Sequence, residues 1–481
     1  MLRATDSLNS ADKDALIGQL LARIDVMTYE AQVISARMET SHAALLAALQ
    51  AEIVALKAEN AQLRAKLDLP PKTPGNSSTP PSRGQKDQGA DKKDGSSKRK
   101  SHPGAHRPLH PDPTSRREVK ANVCQHCQAD VSAEPQAACE AYDHVEIPPI
   151  APEITRITLF GGTCPCCAKK FKAAAPADMA QGSPYGLNLR ALVIHLRFTQ
   201  GIALERLKIL LREMYGLDIS EGAILNILNA AQQAFIAQAS LIRGLLLSGK
   251  ALESDETGMR VSRSNWWLWV FHHGKRAVFV AEPSRSKKVV AGFLGEFRPD
   301  HWVSDRYCGQ MGWASKGNQV CLAHLIRDAQ FAIDSGDALF APALRHLLGR
   351  ACRLGQRRDR FTDATLERFA VRLNARLDCL LSLAPTHAAG VKFQGVIRKI
   401  RHQMFVFVTN RAIPATNNES ERSLRPAVTF RKITNGFRTE WGVKFYADVR
   451  TVIETGRRLG ISALEAIRLT LAWRPLQPMA P

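Results

Sequence analysis

The sequence predicts a multidomain α+β protein, and three observations carry that prediction. Apolar residues recur at heptad spacing through an N-terminal stretch with no Gly or Pro from Leu20 to Leu69. Two Cys-x-x-Cys pairs, Cys124/Cys127 and Cys164/Cys167, stand thirty-six residues apart. Near residue 250 the apolar period shortens from helical to strand-like, and beyond residue 327 it is helical again. At 481 residues the chain exceeds what a single core holds, so several domains are expected.

The formal net charge of +21 calls for a polyanionic partner, of which nucleic acid is the usual one and a membrane surface the other. No run of about eighteen apolar residues is present, so no spanning helix and no membrane partner are expected. The N-terminus "MLRATDSLNSADKD" lacks the basic and apolar regions of a secretory signal. The ten Cys, mostly unpaired in spacing, fit a reducing compartment better than a disulfide framework. The expected location is the cytoplasm, in association with the nucleoid.

Residues 11–68 predict a coiled coil. Leu46, Leu49, Ile53, Leu56, Asn60, Leu63 and Leu67 step by three and four, with Asn60 at an a position. Glu52 with Lys57, and Glu59 with Arg64, have the g-to-e spacing of a parallel pair. Ile17, Leu20, Ile24, Met27, Ala31, Ile34 and Met38 form a second run out of phase with the first, so a break is expected near Ser41-His42. Packing of one amphipathic helix on its own chain is the other reading. Residues 69–120 are rich in Pro, Gly, Ser and Lys and poor in large apolar residues, which predicts a disordered linker. Lys98, Arg99 and Lys100 make it a basic arm able to touch phosphates.

In residues 121–175, Cys124, Cys127, Cys164 and Cys167 offer four thiolates, the tetrahedral set of one structural Zn2+. Cys166, His126 and Cys139 are weaker candidates. Residues 184–248 read as three amphipathic helices, with Ser220 as an N-cap and a turn "YGLDIS" that permits a helix-turn-helix for DNA. Over 249–326, "ALESDETGMRV", "NWWLWVFHH" and "RAVFVAEPS" read as successive strands, the second apolar on both faces and therefore buried. A short helix and a further strand ending at Asp305 follow. Residues 327–404 read as all-helical. From Arg327 to Arg411 there are fifteen Lys/Arg against seven Asp/Glu, which adds surface for phosphates. A helical region closes the chain, with "ATNNESERSLRP" in it.

Asp255 and Asp305 are each carried by a strand, and Glu419 or Glu421 begins a helix. If the strands are neighbours, the acids can share hard cations, and two such ions suit phosphodiester cleavage. Each acid also has a local reading. Asp255 can cap a strand end, Asp305 can start a turn, and Glu421 with Asn418 has capping-box spacing. Spacing alone does not select among them.

The ordered set "NSSTPPS", "CQHC…CPCC", "DETGMRV", "SDRYCGQ", "CLAHLIRD", "TNNESERSLRP" and "RKITNGFRTEWG" resembles the insertion-sequence-66 family of transposases, a branch of the DDE superfamily, nearly end to end. The resemblance implies an RNase H-like α/β catalytic domain in two parts, 249–326 and 405–474, separated by the helical insertion 327–404. It implies Asp255, Asp305 and Glu421 as the ligands of two Mg2+ (or Mn2+), with Glu253 and Glu256 left in flank or surface roles. It places His324 and Arg422 near the site, with Arg425, Arg431 and Lys432 close enough to steer phosphates. The implied activity is hydrolysis at the ends of a DNA element followed by strand transfer of the 3′-hydroxyl into target DNA. The implied assembly is a homo-oligomer through the coiled coil, with accessory proteins encoded by the same element as possible partners. A non-catalytic zinc DNA-binding protein and a nuclease without strand transfer are the alternatives.

Overall fold

In the computed structural model, which describes residues 10–67, 69–77, 107–179 and 184–477, the chain divides into two units, Met1–Lys72 and Thr73–Pro481. The first unit is one helix, α1 (Ser10–Leu67). It runs without the break expected at Ser41-His42. The reason is local: no Gly or Pro interrupts the backbone there. The change of apolar phase is therefore absorbed as a shift of stripe on a continuous helix. Leu46, Leu49, Ile53 and Leu56 are exposed along it. By length and composition alone this helix could also cross a membrane, although Arg37 and Glu39 lie within it.

The second unit begins inside the expected linker. Thr73 to Ser77 form a hydrogen-bonded turn in which Asn76 Oδ1 accepts from Thr73 N (2.7 Å) and Ser77 Oγ donates to Thr73 O (2.7 Å). Asn76 and Ser77 are buried, and Asn76 Nδ2 donates to Asp334 Oδ2 at 2.9 Å. This part of residues 69–120 is thus seated on the folded unit. Lys98, Arg99 and Lys100 lie outside the described residues.

Residues 107–179 contain little regular structure. β1 (Gly161–Thr163) and β2 (Lys170–Lys172) make a small antiparallel hairpin. Both Cys-x-x-Cys pairs sit in the same kind of turn. Cys124 N donates to Ala129 O and Gln128 N to Cys124 O; Cys164 N donates to Lys169 O and Ala168 N to Cys164 O. Gln128 and Ala168, the residues after each second Cys, take positive φ of 62° and 56°. Most side chains here are exposed, including Tyr142, Ile147, Ile154 and Phe160, so no apolar core holds this stretch.

Three helices follow: α2 (Leu187–Phe198), α3 (Leu204–Tyr215) and α4 (Glu221–Leu247). Ser220 Oγ caps α4 by accepting from Ala223 N. Val193, Ile194, Leu207, Leu211 and Phe235 bury these helices in the core that covers the sheet.

The sheet has order β5-β4-β3-β6-β7. β3 (Ala251–Val261), β4 (Ser264–His273) and β5 (Arg276–Glu282) form an antiparallel meander, while β6 (His301–Ser304) and β7 (Gly317–Val320) run parallel to β3. The helix α5 (Lys287–Leu294) makes the crossover to β6. β4 is covered on both faces, as its continuous apolar run requires: Trp269 and Phe271 are fully buried, and so are Leu268 and Val270. Phe271 stacks on Phe293 of α5 with ring centroids 3.9 Å apart and meets Trp302 edge-on at 6.3 Å.

After β7, α6 (Leu322–Asp334), α7 (Phe340–Arg357), α8 (Asp363–Leu381) and α9 (Ala388–Ile400) build a second core with the short α10 (Val406–Thr409). α11 (Asn418–Thr434), α12 (Glu440–Arg458) and α13 (Ala463–Leu471) return to the sheet. Asn435 ends α11 in the left-handed region, and Gly436 continues with φ of 96°. That turn lets Phe437 N donate to Arg260 O (2.8 Å) and Phe437 O accept from Ser262 N (2.9 Å), locking the end of α11 to the tip of β3. Gly436→Ala is expected to destabilise the unit by about 1–3 kcal/mol, because an added Cβ meets the Arg260 carbonyl and the backbone is strained. Chemical denaturation of the two proteins side by side checks it; an unchanged midpoint would refute it.

Candidate active site

The site forms where β3 and β6 lie side by side. Their register pairs Ala251 with His301, Leu252 with Trp302 and Glu253 with Val303. Two residues further along each strand stand Asp255 and Asp305, so parallel pairing brings two acids 50 positions apart in sequence to the same level. Asp305 sits just past the end of β6, where its Oδ1 accepts from Tyr307 N at 2.8 Å. That is a turn start, as the local reading allowed, and the turn holds the carboxylate beside Asp255.

α11 supplies the third acid. Its first turn carries Glu421, whose Oε1 lies 3.5 Å from His324 Nε2 and 3.4 Å from Arg327 Nη1 on α6. The capping-box reading does not hold: the N-cap is Asn417, and no side chain caps the helix. Glu419 points elsewhere, 3.8 and 3.6 Å from Arg457 and Arg458 of α12.

These acids feel one another. Burial pushes the Asp255 carboxyl well above the ordinary range, and the neighbouring charges of Glu256, Asp305 and Glu421 push it further; the Glu256 amide, donating to Asp255 Oδ1 at 2.9 Å, partly opposes them. His324 is shifted down by burial, with Glu421 and Asp305 pulling the other way. Among the described residues no three His, Cys, Asp or Glu side chains stand close enough as they are to hold an ion. The donor chemistry nevertheless suits a hard divalent cation: Asp255 lies within electrostatic reach of Asp305 and Glu421, and among the described residues neither Asp255 nor Asp305 has a cation within ion-pair distance, Arg285 acting on Asp305 only from farther off.

Glu253 and Glu256 are not in surface roles. Glu256 extends into the acid cluster with a side chain 2% exposed, 2.6 Å from Arg285 Nη2, and also accepts from Gln310 Nε2. Arg285 is held in turn over the rings of Trp267 and Tyr307, 4.9 and 4.1 Å from their centroids. Burial raises the Glu256 carboxyl, and so does Asp305, while Arg285 counteracts both. Glu253 is buried beside His272 and His273, 3.9 Å from the Nδ1 of each, and burial raises its carboxyl too. The reason sequence reading missed both is that a strand's alternation does not reveal how deep its end lies.

Asn417 was likewise invisible in the sequence beyond the doubled Asn of "TNNES". It is buried and bonds three ways: Nδ2 donates to Ser254 O (2.7 Å), the backbone N to Cys321 Sγ (3.1 Å), and Oδ1 accepts from Ser420 Oγ (2.5 Å). Ser420 Oγ also meets His272 Nε2 at 2.7 Å. This network ties the start of α11 to the residue before Asp255, and Ser254 Oγ in turn accepts from Trp302 Nε1 and donates to Gln310 Oε1.

Of the basic residues on α11, Arg422, Arg425 and Lys432 are exposed. Arg431 is engaged, its Nη1 donating to Gly258 O, so its head is committed to the β3 backbone. The four Cys are present as two formed turns but are not gathered into one set.

A family model described as transposase IS66 family matches residues 182–445, more than half of the chain. A search of curated proteins finds no match.

The raised Asp255 carboxyl has a sign in stability. Its unfolded counterpart ionises near about pH 4, so the contribution is whole below that value and is lost as pH rises through the folded pKa. Asp255→Asn is therefore expected to raise the metal-free melting temperature at neutral pH by a few degrees, with the difference vanishing near about pH 4. Thermal melts across that range test it; equal melting temperatures at neutral pH would contradict it.

Proposed function

The chain belongs to the IS66 family of transposases, and on that premise we propose that it hydrolyses phosphodiesters at the ends of a DNA element and transfers the freed 3′-hydroxyl into target DNA. The observation that carries this reading is the in-register pairing of β3 with β6, which sets Asp255 and Asp305 at one level with Glu421 within their electrostatic reach. The sheet order, a three-stranded antiparallel meander continued by two parallel strands, supports an RNase H-like catalytic fold formed by 249–326 and 405–474, with 327–404 as insertion.

Asp255, Asp305 and Glu421 would hold two Mg2+ or Mn2+, which supply Lewis acidity to the attacking and leaving oxygens. The chain's own residues do the rest. Arg285 and Gln310 keep Glu256 fixed beside the acids. Asn417 fixes α11 against β3, so Glu421 approaches the strand acids at a set height. His324 and Arg327 orient the Glu421 carboxylate. Arg422, Arg425 and Lys432 offer exposed cations on the same helix to DNA phosphates. The basic arm around Lys98, Arg99 and Lys100 and the helices of 184–248 extend that footprint. Residues 11–68 pair protomers as a coiled coil, which lets two ends be held together; accessory proteins of the same element would join this assembly.

The assay is joining of labelled element ends to a target plasmid in Mg2+. Asp255→Asn is expected to reduce joined product roughly 10³-fold or more while DNA binding persists. Nicking without joining would replace the reading with a nuclease, and binding without any cleavage would leave a DNA-binding protein.

For residues 121–175 we propose one structural Zn2+ on Cys124, Cys127, Cys164 and Cys167. Two matching turns present the thiols in pairs, and the stretch has no apolar core of its own, so metal binding would supply its folding energy. Colorimetric zinc release is expected to give one ion per chain and much less after Cys164→Ser, with chelation opening this region to protease. A zinc-free native chain would refute it.

A further inference from the structure

A cleft of about 680 Å³ opens between α7 and α8 of the helical insertion, within the second core and apart from the acids. His346 and Arg350 line it from α7, and Arg372 and Arg376 from α8; both pairs have i, i+4 spacing. Arg372 and Arg376 are like charges at that spacing, which destabilises a helix, so this basic wall works against the fold that carries it. No carboxylate lines the cleft, and among the described residues none of the three guanidiniums has an ion-pair partner. The floor is apolar and partly open to solvent, with Phe369 and Leu373 in it. Phe361 packs against Phe369 with centroids 5.4 Å apart, holding the ring in place.

We propose that this cleft binds a single strand of DNA, with phosphates on Arg350, Arg372 and Arg376 and a base stacked on Phe369. The assignment rests on the transposase reading above, which supplies a DNA substrate whose strands part at a cut end. Cationic walls over an aromatic floor are what a single strand needs. A duplex hides its base faces and would leave Phe369 and Leu373 without a partner.

Binding is read by fluorescence anisotropy of labelled single-stranded and duplex oligonucleotides with the full chain, in the absence of Mg2+. Joint replacement Arg350→Ala, Arg372→Ala and Arg376→Ala is expected to weaken single-strand binding at least about tenfold and to lower the salt slope by about 2. Phe369→Leu is expected to weaken single-strand binding by about tenfold and leave duplex binding as it was. Lys392→Ala, an exposed cation elsewhere in the insertion, serves as the control. Unchanged affinity and salt slope in the triple variant would overturn the cleft, and so would equal losses for single strand and duplex. Set beside the joining assay above, the binding measurement separates the outcomes. If the unaltered protein joins ends and the triple variant still binds normally, the cleft falls and the transposase reading stands. If the unaltered protein binds no DNA, both fall.

Discussion

Parallel pairing of β3 with β6 is the constraint on which the rest of this structure depends. It places two carboxylates at one level, one inside a buried strand and one just beyond a strand end. A slip of one residue would turn Asp255 to the opposite face of the sheet and separate it from Asp305. The register is therefore braced from several sides. Trp302 and Phe271 fill the space between sheet and α5, and Trp302 Nε1 bonds Ser254, which lies between Glu253 and Asp255 on β3. At the far tip of β3, the Gly436 turn fastens the same strand to the end of α11.

Holding like charges together inside a fold works against stability, and the surroundings answer it unevenly. Glu256 has Arg285 and Gln310; Glu421 has His324 and Arg327. Asp255 has only the adjacent amide, and its carboxyl is the one pushed well above the usual range. The acids at the edge of the cluster have cationic partners, whereas Asp255 at its centre has none within ion-pair distance among the described residues. Asn417 connects this electrostatic arrangement to the fold, because the same side chain that starts α11 bonds the backbone beside Asp255.

The N-terminal elements follow a different logic. α1 exposes a row of Leu and Ile that one helix cannot bury, and residues 107–179 expose most of their apolar side chains. The turn at Asn76 shows where the linker stops being a linker, since its side chain is buried on the folded unit and bonded to Asp334.

Much of this was legible in the residues. Strand and helix order from residue 184 onward, the burial of the Trp-rich strand and the Ser220 cap follow from apolar period and local hydrogen bonding, which act over a few neighbours. The acids Asp255, Asp305 and Glu421 came from motif resemblance, because spacing did not separate them from other carboxylates. Tertiary structure alone decided which strands are adjacent, that Glu253 and Glu256 are buried, that Arg431 is spent on Gly258, and that α1 continues past Ser41. Those outcomes depend on contacts between residues distant in sequence, or on helix continuity outweighing a change of stripe. A local pattern records what a segment prefers, whereas depth and partnership are set by whatever packs on it.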